Sequence, residues 1–105
     1  MTYIIFDLET TCEEKRRVQN ETIEIGAVKV DEAGQAVDTF QTFVRPVIRP
    51  VLSGFCTQLT TIRQKEVDTA PFFPQAVASF RRWIGEEAYM LCSWGFYVPP
   101  ALFAP

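Results

Sequence analysis

The stretch IIFDLETT, residues 4–11, joins an apolar run to two carboxylates, Asp7 and Glu9. The β-branched and aromatic run is typical of a strand, and we predict a first strand from about Tyr3 to Leu8. Side chains two residues apart in a strand point to the same face of a sheet, so the two acids should lie side by side. A strand that builds a core therefore ends in neighbouring anions, which need either solvent or a cation.

Two more strands should follow as an antiparallel hairpin. The segments 23–30 and 36–44 are rich in residues that favour strands, and Asp31-Glu32-Ala33-Gly34 supplies turn residues between them. After the prolines at 46 and 50, the segment 53–67 predicts one or two short helical turns.

A longer helix is predicted after Pro71, because proline is favoured in the first turn of a helix. Its apolar residues recur with helical spacing, and Gly85 is a plausible stop signal. The apolar segment 89–94 then predicts a short buried strand. The order β-β-β-α-α-β implies an α/β fold in which helices pack on a mixed sheet.

Composition limits the class of protein. A chain of 105 residues with a formal net charge of −3 fits one small domain and does not indicate a general nucleic-acid binder. Three scattered cysteines and no recognisable secretion signal favour a reducing, cytoplasmic location. The chain has no histidine, the side chain that most often acts as a general base.

The segment 88–105 is uncharged and long enough for a membrane span. Prolines and glycine interrupt it, so we expect a loosely packed tail and no membrane partner.

Hard divalent cations such as Mg²⁺ bind carboxylate oxygens and also hold phosphate. The pair Asp7 and Glu9 is therefore a candidate half of a metal site for phosphoryl chemistry. Taken alone, however, the pattern Asp-x-Glu favours two solvated acids at an exposed strand end over a metal site.

The motif series adds specificity. In this order and spacing it resembles the DEDD-type 3′–5′ exonucleases, and in particular the Eri/KapD-like branch of the DEDDh type, which has a ribonuclease-H-like fold. The resemblance covers residues 1–97 and rests on the stretches IIFDLETTC (4–12), IEIGAV (23–28), 49–73, AVASFRRWI (76–84) and LCSWGFY (91–97).

The resemblance implies metal-dependent removal of nucleoside 5′-monophosphates from the 3′ end of single-stranded RNA or DNA. In that family four acids bind two Mg²⁺ or Mn²⁺ ions. Asp7 and Glu9 would be catalytic metal ligands here. The terminal nucleotide would lie against the residues Leu8, Thr10, Leu59, Thr60 and Ile62.

Other residues have less specific interpretations. Ordinary helix packing is an equal alternative for Leu59, Thr60 and Ile62. Glu24 is expected to be an exposed strand acid without a catalytic role. Phosphate contacts are conceivable for four basic residues, although a solvated surface is the commoner role of such side chains: Arg45, Arg49, Arg63 and Lys65.

The sequence departs from the family after Tyr97. Val98 stands where the second-motif aspartate belongs, and the family's C-terminal histidine and fourth aspartate have no counterpart. The segment 98–105 is a divergent proline-rich tail, for which we hypothesise a frameshift or truncation.

Three consequences follow from this departure. The chain is expected to be catalytically incomplete on its own. An incomplete sheet should also expose apolar surface, which would permit self-association. The alternative function is that of a non-catalytic homologue that binds nucleic acid or a protein.

A haloacid-dehalogenase-like phosphatase is a remote alternative on separate grounds, because Asp7-Leu8-Glu9-Thr10-Thr11 approaches the nucleophile motif of that family.

Overall fold

The computed structural model describes residues 1–14 and 20–93. Within these residues one mixed sheet has the strand order β3-β2-β1-β4, with β1 antiparallel to β2 and parallel to β4. Its strands are β1 (Thr2–Thr10), β2 (Thr22–Val30), β3 (Ala36–Phe43) and β4 (Tyr89–Ser93). This confirms the predicted α/β fold with a mixed sheet.

The hairpin of β2 and β3 forms as predicted, with antiparallel pairing. The Asp31 carboxylate accepts hydrogen bonds from the backbone N–H groups of Ala33 and Gln35, at 2.9 and 3.0 Å. Gly34 takes a positive φ of 81°, which glycine adopts without steric cost. Local turn chemistry therefore sets the register of the hairpin.

Three helices connect β3 to β4: α1 (Gly54–Thr60), α2 (Gln64–Asp68) and α3 (Phe73–Ile84). The segment 53–67 thus forms two helices, so the element order has one helix more than β-β-β-α-α-β. The prediction that Pro71 opens the long helix was wrong. The Pro71 carbonyl accepts a hydrogen bond from the Arg45 N–H at 2.8 Å, which keeps residues 71–72 extended, and Pro74 takes the place in the first turn.

Helix α3 covers one face of the sheet. Its buried residues Ala76, Val77 and Phe80 pack against inward-facing side chains of β1 and β2. The rings of Phe6 and Phe80 lie 6.2 Å apart between their centroids. Gly85 ends the helix as predicted, and its N–H donates to the Arg81 carbonyl.

A second, smaller apolar cluster lies under α1 and α2. It contains five buried residues, with Cys12 and Phe43 packed against them: Ile23, Leu52, Cys56, Ile62 and Val67. This cluster fixes the two short helices beside the carboxyl end of β1.

The opposite face of the sheet is largely uncovered within the described residues. Tyr3, Ile5 and Met90 are 37%, 40% and 51% exposed. Strand β4 was expected to be buried, but Tyr89 and Met90 are exposed because, in the part of the chain that the structure describes, β4 is an edge strand and α3 lies on one side of it only.

Part of the predicted strand end and the tail, residues 94–105, lie outside the described residues. The identity of the tail as a divergent segment therefore stays a prediction. No helix among residues 1–14 and 20–93 is long and apolar enough to cross a membrane.

Candidate metal and nucleotide site

The paired acids lie near the carboxyl end of β1, on the face of the sheet that α3 does not cover. Asp7 is opposite Gly26 of β2, and Glu9 is directly opposite Glu24. Because Gly26 has no side chain, the sheet surface next to the exposed Asp7 carboxylate stays open, and no atom lies within 4 Å of a Cβ built there. Asp7 is therefore accessible to a ligand approaching this face.

The electrostatics of Glu9 indicate uncompensated negative charge. Partial burial raises the pKa of the Glu9 carboxyl, and the charges of Asp7 and Glu24 raise it further. No Lys or Arg of the described residues forms an ion pair with Asp7 or Glu9. The Glu24 carboxylate accepts a hydrogen bond from the Gln41 side chain at 2.8 Å. A bound cation would relieve the repulsion between these acids.

The donor set fits a divalent cation only in part. Asp7 and Glu9 offer hard oxygen ligands on one face, as Mg²⁺ or Mn²⁺ require. In the described part of the chain, however, no group of three or more Asp, Glu, His or Cys side chains is arranged to hold a metal ion. Two carboxylates would leave most of an octahedral shell to water or to other ligands.

Cys12 is close to the acids in sequence, but its thiol is not activated for nucleophilic attack. Burial raises the pKa of its thiol to about 11, with a further contribution from a hydrogen bond to Cys56. At neutral pH the metal-free thiol is therefore protonated, and the thiol form is a poor nucleophile.

Two predicted nucleotide contacts belong to β1 itself. Leu8 is partly buried and packs against the core under α3, so its side chain supports the strand that carries the acids. The Thr10 hydroxyl accepts a hydrogen bond from the Asn20 side chain at 3.1 Å. Their contact with a nucleotide stays a prediction.

The other predicted contacts lie on and after α1. Leu59 is 66% exposed and free to meet a ligand. The Thr60 hydroxyl donates to the Cys56 carbonyl at 2.8 Å, and Ile62 is buried in the second cluster. Ile62 therefore packs beneath the surface that Leu59 presents, and the nucleotide roles of all three stay predictions.

Helix α1 is fastened directly to the segment after the acids. The Ser53 hydroxyl donates to the Cys12 carbonyl at 2.9 Å and accepts from the Cys56 N–H at 3.0 Å, capping the helix. The Cys56 thiol also approaches the Thr10 carbonyl at 3.8 Å. The structure thus brings together the end of β1 and α1, which are far apart in sequence.

The basic residues differ in their availability. Arg49 forms an ion pair with Glu13 at 3.3 Å, and Arg63 forms one with Glu66 at 3.5 Å. The Arg45 guanidinium lies over the exposed Phe72 ring, 5.1 Å from its centroid, without an ion pair to any described residue.

Two residues of this site were not anticipated from the sequence. Gly26 leaves space beside Asp7, and a glycine inside a predicted strand is a signal for such open or close-packed surface. Asn20 reaches Thr10 from the chain segment before β2, and no local sequence pattern indicates that contact.

The chain matches one protein family over most of its length. The sequence profile of the family described as Exonuclease (RNase_T) matches residues 4–97, a range that includes both acids. The chain belongs to the exonuclease family. The haloacid-dehalogenase-like alternative is left without support.

Curated relatives of this exonuclease-family chain are exoribonucleases by name. It is 45% identical over 83 residues to ERI1 exoribonuclease 2 of Danio rerio, a match covering 77% of the chain and 15% of that protein. It is 41% identical over 83 residues to 3′–5′ exoribonuclease 1 of Homo sapiens, covering 76% of the chain and 24% of that protein. The chain therefore spans only a small part of these relatives.

The solved nuclease domain of 3′hExo, a DEDDh family member bound to rAMP, has the same fold. It superposes with a TM-score of 0.83 at 37% identity, covering 90% of this chain and 52% of that one. The ribonuclease-H-like architecture is thereby confirmed, and the chain corresponds to about half of that solved chain.

Proposed function

We propose that this chain contributes the first two acids of a metal-dependent 3′–5′ exonuclease that releases nucleoside 5′-monophosphates from RNA 3′ ends. The observation that carries the proposal is the position of Asp7 and Glu9 on one open face of β1, without a compensating cation in the described residues. Membership in the exonuclease family supports the reaction class.

Asp7 and Glu9 would hold Mg²⁺ or Mn²⁺, which are hard cations suited to carboxylate and phosphate oxygens. When bound, such ions supply an activated water and stabilise the leaving oxygen of the phosphodiester. The contribution of the chain itself is to keep the two carboxylates on one rigid strand, supported by Leu8 from the core beneath.

RNA is the proposed substrate class. Two relatives are exoribonucleases by name, and the similar 3′hExo structure contains rAMP. In this chain Thr10 and Leu59 would bind the terminal nucleoside, because Leu59 is exposed on the helix fastened beside Thr10.

A second candidate function is a non-catalytic RNA-binding homologue. The sequence has no histidine to act as a base, and Val98 replaces the acid expected after Tyr97. Groups that act as one catalytic unit fail together. We therefore propose that the 105-residue polypeptide by itself binds but does not turn over RNA.

Paramagnetic NMR tests the placement of the metal and the nucleotide. Adding Mn²⁺ should first broaden the amide signals of residues 7–10 and of residues 24–26, which lie opposite them on β2. AMP added with a diamagnetic Mg²⁺ excess should then shift the signals of Thr10 and Leu59. Broadening that is uniform over the chain, or unchanged in Asp7→Asn, would contradict the proposal.

A further inference from the structure

Two of the three cysteines lie together at the carboxyl end of β1, although they are far apart in the sequence. Cys12 comes two residues after the end of the strand, and Cys56 is in the first turn of α1. Cys56 is 1% exposed in the smaller apolar cluster, and Cys12 is half-buried against the same cluster. The proposed exonuclease chemistry uses neither thiol.

A single hydroxyl joins the backbones of these two residues. Ser53 Oγ donates a hydrogen bond to the Cys12 carbonyl at 2.9 Å and accepts one from the Cys56 N–H at 3.0 Å. Two backbones bonded to one oxygen atom are close neighbours. Close approach is the main condition for a disulfide, whose Cα atoms lie about 4.4 to 6.8 Å apart.

The side chains of the two cysteines also meet. The Cys56 thiol donates to the Thr10 carbonyl, with a distance of 3.8 Å from sulfur to oxygen. The Cys12 side chain forms a hydrogen bond with Cys56. The Cys56 sulfur therefore lies between the Thr10 carbonyl and the Cys12 thiol, so the two sulfur atoms are neighbours.

Solvent reaches the cysteines unequally. Cys12 is partly accessible, whereas Cys56 is enclosed by the apolar cluster. An oxidant in solution therefore meets Cys12 first, and Cys56 then reacts from within the cluster. The third cysteine is separate from the pair, because Cys92 of β4 is beside Ile5 of β1, several residues before the carboxyl end of that strand.

From these contacts we propose that Cys12 and Cys56 are a site of reversible oxidation, at which a low-molecular-weight disulfide converts the two thiols into one disulfide bond. The Cys12 thiol loses its proton and its sulfur attacks glutathione disulfide, which releases one glutathione thiolate. Cys56 loses its proton in turn and attacks the Cys12 sulfur, releasing the second glutathione thiolate. Two electrons pass from the pair to the oxidant, and the two protons go to the released thiolates.

The bond would fasten α1 covalently to the segment that follows the acids. At present the hydrogen bonds of Ser53 make this connection. Leu59, which is exposed on α1, would then keep a fixed position relative to Thr10 of β1. The closed loop contains β2 and β3, and a loop of this size restricts the unfolded chain and stabilises the folded one.

The reaction is expected to be slow. Burial raises the pKa of the Cys12 thiol to about 11, so thiolate is scarce at neutral pH. Exchange with glutathione disulfide should therefore take on the order of hours, at the slow end for disulfide formation. Excess reduced glutathione reverses both steps.

The test incubates the folded chain carrying Cys92→Ser with glutathione disulfide and follows its intact mass. The main product should lack two hydrogens and carry no glutathione, and its proteolytic digest should contain a peptide pair that joins Cys12 to Cys56. This measurement needs neither cysteine of the pair to be replaced. A matched chain carrying Cys12→Ala and Cys56→Ala, with Cys92 retained, should only gain glutathione.

Single replacements separate the roles of the two thiols. With Cys56→Ala the chain should keep one glutathione on Cys12, because no second thiol displaces it. With Cys12→Ala the buried Cys56 should stay unmodified as long as the chain is folded. Thermal unfolding checks that each variant folds before the oxidant is added.

The oxidised chain should unfold about 10 °C higher than the reduced chain. Its α1 amides should exchange hydrogen more slowly relative to those of α3. Two free thiols after oxidation, a lasting glutathione adduct on Cys12 beside an intact Cys56, or a disulfide that forms only in urea would overturn the proposal. None of these measurements involves a metal or RNA, so the proposal stands or fails independently of the proposed function.

Discussion

Glu9 of β1 lies directly opposite Glu24 of β2, so two carboxylates face each other across neighbouring antiparallel strands. Like charges in this position destabilise a sheet. Burial, Asp7 and Glu24 together raise the pKa of Glu9 from its ordinary value. The end of β1 is therefore under electrostatic strain, which a cation can relieve.

The first prediction concerns the pH dependence of stability. Because the folded pKa of Glu9 is above the unfolded value, the folded chain binds more protons in that window, and stability falls as pH rises through it. Glu24→Gln should flatten this fall and stabilise the metal-free chain by about 0.2 to 1 kcal/mol at neutral pH. Urea unfolding between pH 4 and pH 7 measures the effect. Glu87→Gln, an exposed glutamate outside the strands, is the control, and an equal gain there would contradict the assignment.

The second prediction concerns the metal. Mn²⁺ should bind weakly, because two carboxylates provide only part of an octahedral shell. Affinity should increase with pH as Glu9 loses its proton, since metal ligands must be deprotonated. Calorimetry should find that Asp7→Asn lowers the affinity at least about tenfold, whereas Asp68→Asn on α2 leaves it unchanged. Equal Mn²⁺ affinity of the wild type and Asp7→Asn would refute the site.

Local sequence patterns predicted the fold wherever no contact with a distant segment changed the local structure. Runs of apolar and β-branched residues predicted the strands, and Gly85 predicted the end of α3. Pro71 misled because its carbonyl pairs with the Arg45 N–H, a contact between distant segments that no local pattern contains. The open face beside Asp7 likewise depends on strand register, because it is Gly26 of β2 that lies opposite Asp7.

The candidate site was predictable to a similar degree. Period-two alternation placed Asp7 and Glu9 on one face, as the structure has them. The opposition of Glu9 and Glu24 depends on the exact register of β1 and β2, and a shift by one residue would reverse the faces. Sequence alone could not specify it.

The third prediction concerns a strained helix end. Thr61 caps α1 with a positive φ of 64°, a conformation that costs an L-residue about 1 to 2 kcal/mol. Glycine removes this cost but loses about 0.5 to 1 kcal/mol of entropy, so Thr61→Gly should stabilise the chain by about 0.5 to 1 kcal/mol. Thr69 caps α2 with an ordinary φ of −106°, and Thr69→Gly should destabilise. Thermal unfolding of both variants tests this prediction. A shift of the unfolding temperature in the same direction in both variants would contradict it.

The fourth prediction concerns the uncovered face of the sheet. Tyr3 and Met90 are paired across β1 and β4, and with Ile5 they expose apolar surface on the side of the acids. Self-association through this face should make the sedimentation coefficient rise with concentration. Ile5→Lys should abolish the rise, and Val51→Lys, in an exposed loop, should not. A wild-type chain that stays monomeric at all concentrations would count against self-association.

The activity of the isolated polypeptide is the fifth prediction. The chain contains no histidine, and Val98 stands where an acid is expected. The 105-residue chain should therefore not digest RNA above background in Mg²⁺ or Mn²⁺. The single change Val98→Asp should not restore digestion, because a base is still missing. Metal-dependent digestion by the chain itself, abolished by Asp7→Ala, would contradict this prediction.

The most direct test joins residues 1–97 of this chain to the remainder of the 3′hExo nuclease domain and follows a 5′-labelled RNA strand in Mn²⁺. We predict stepwise shortening from the 3′ end, reduced at least about a thousandfold by Asp7→Ala while the thermal transition is unchanged. A folded chimera that leaves the RNA intact, or equal digestion by its Asp7→Ala variant, would contradict the claim that Asp7 and Glu9 are half of an exonuclease site.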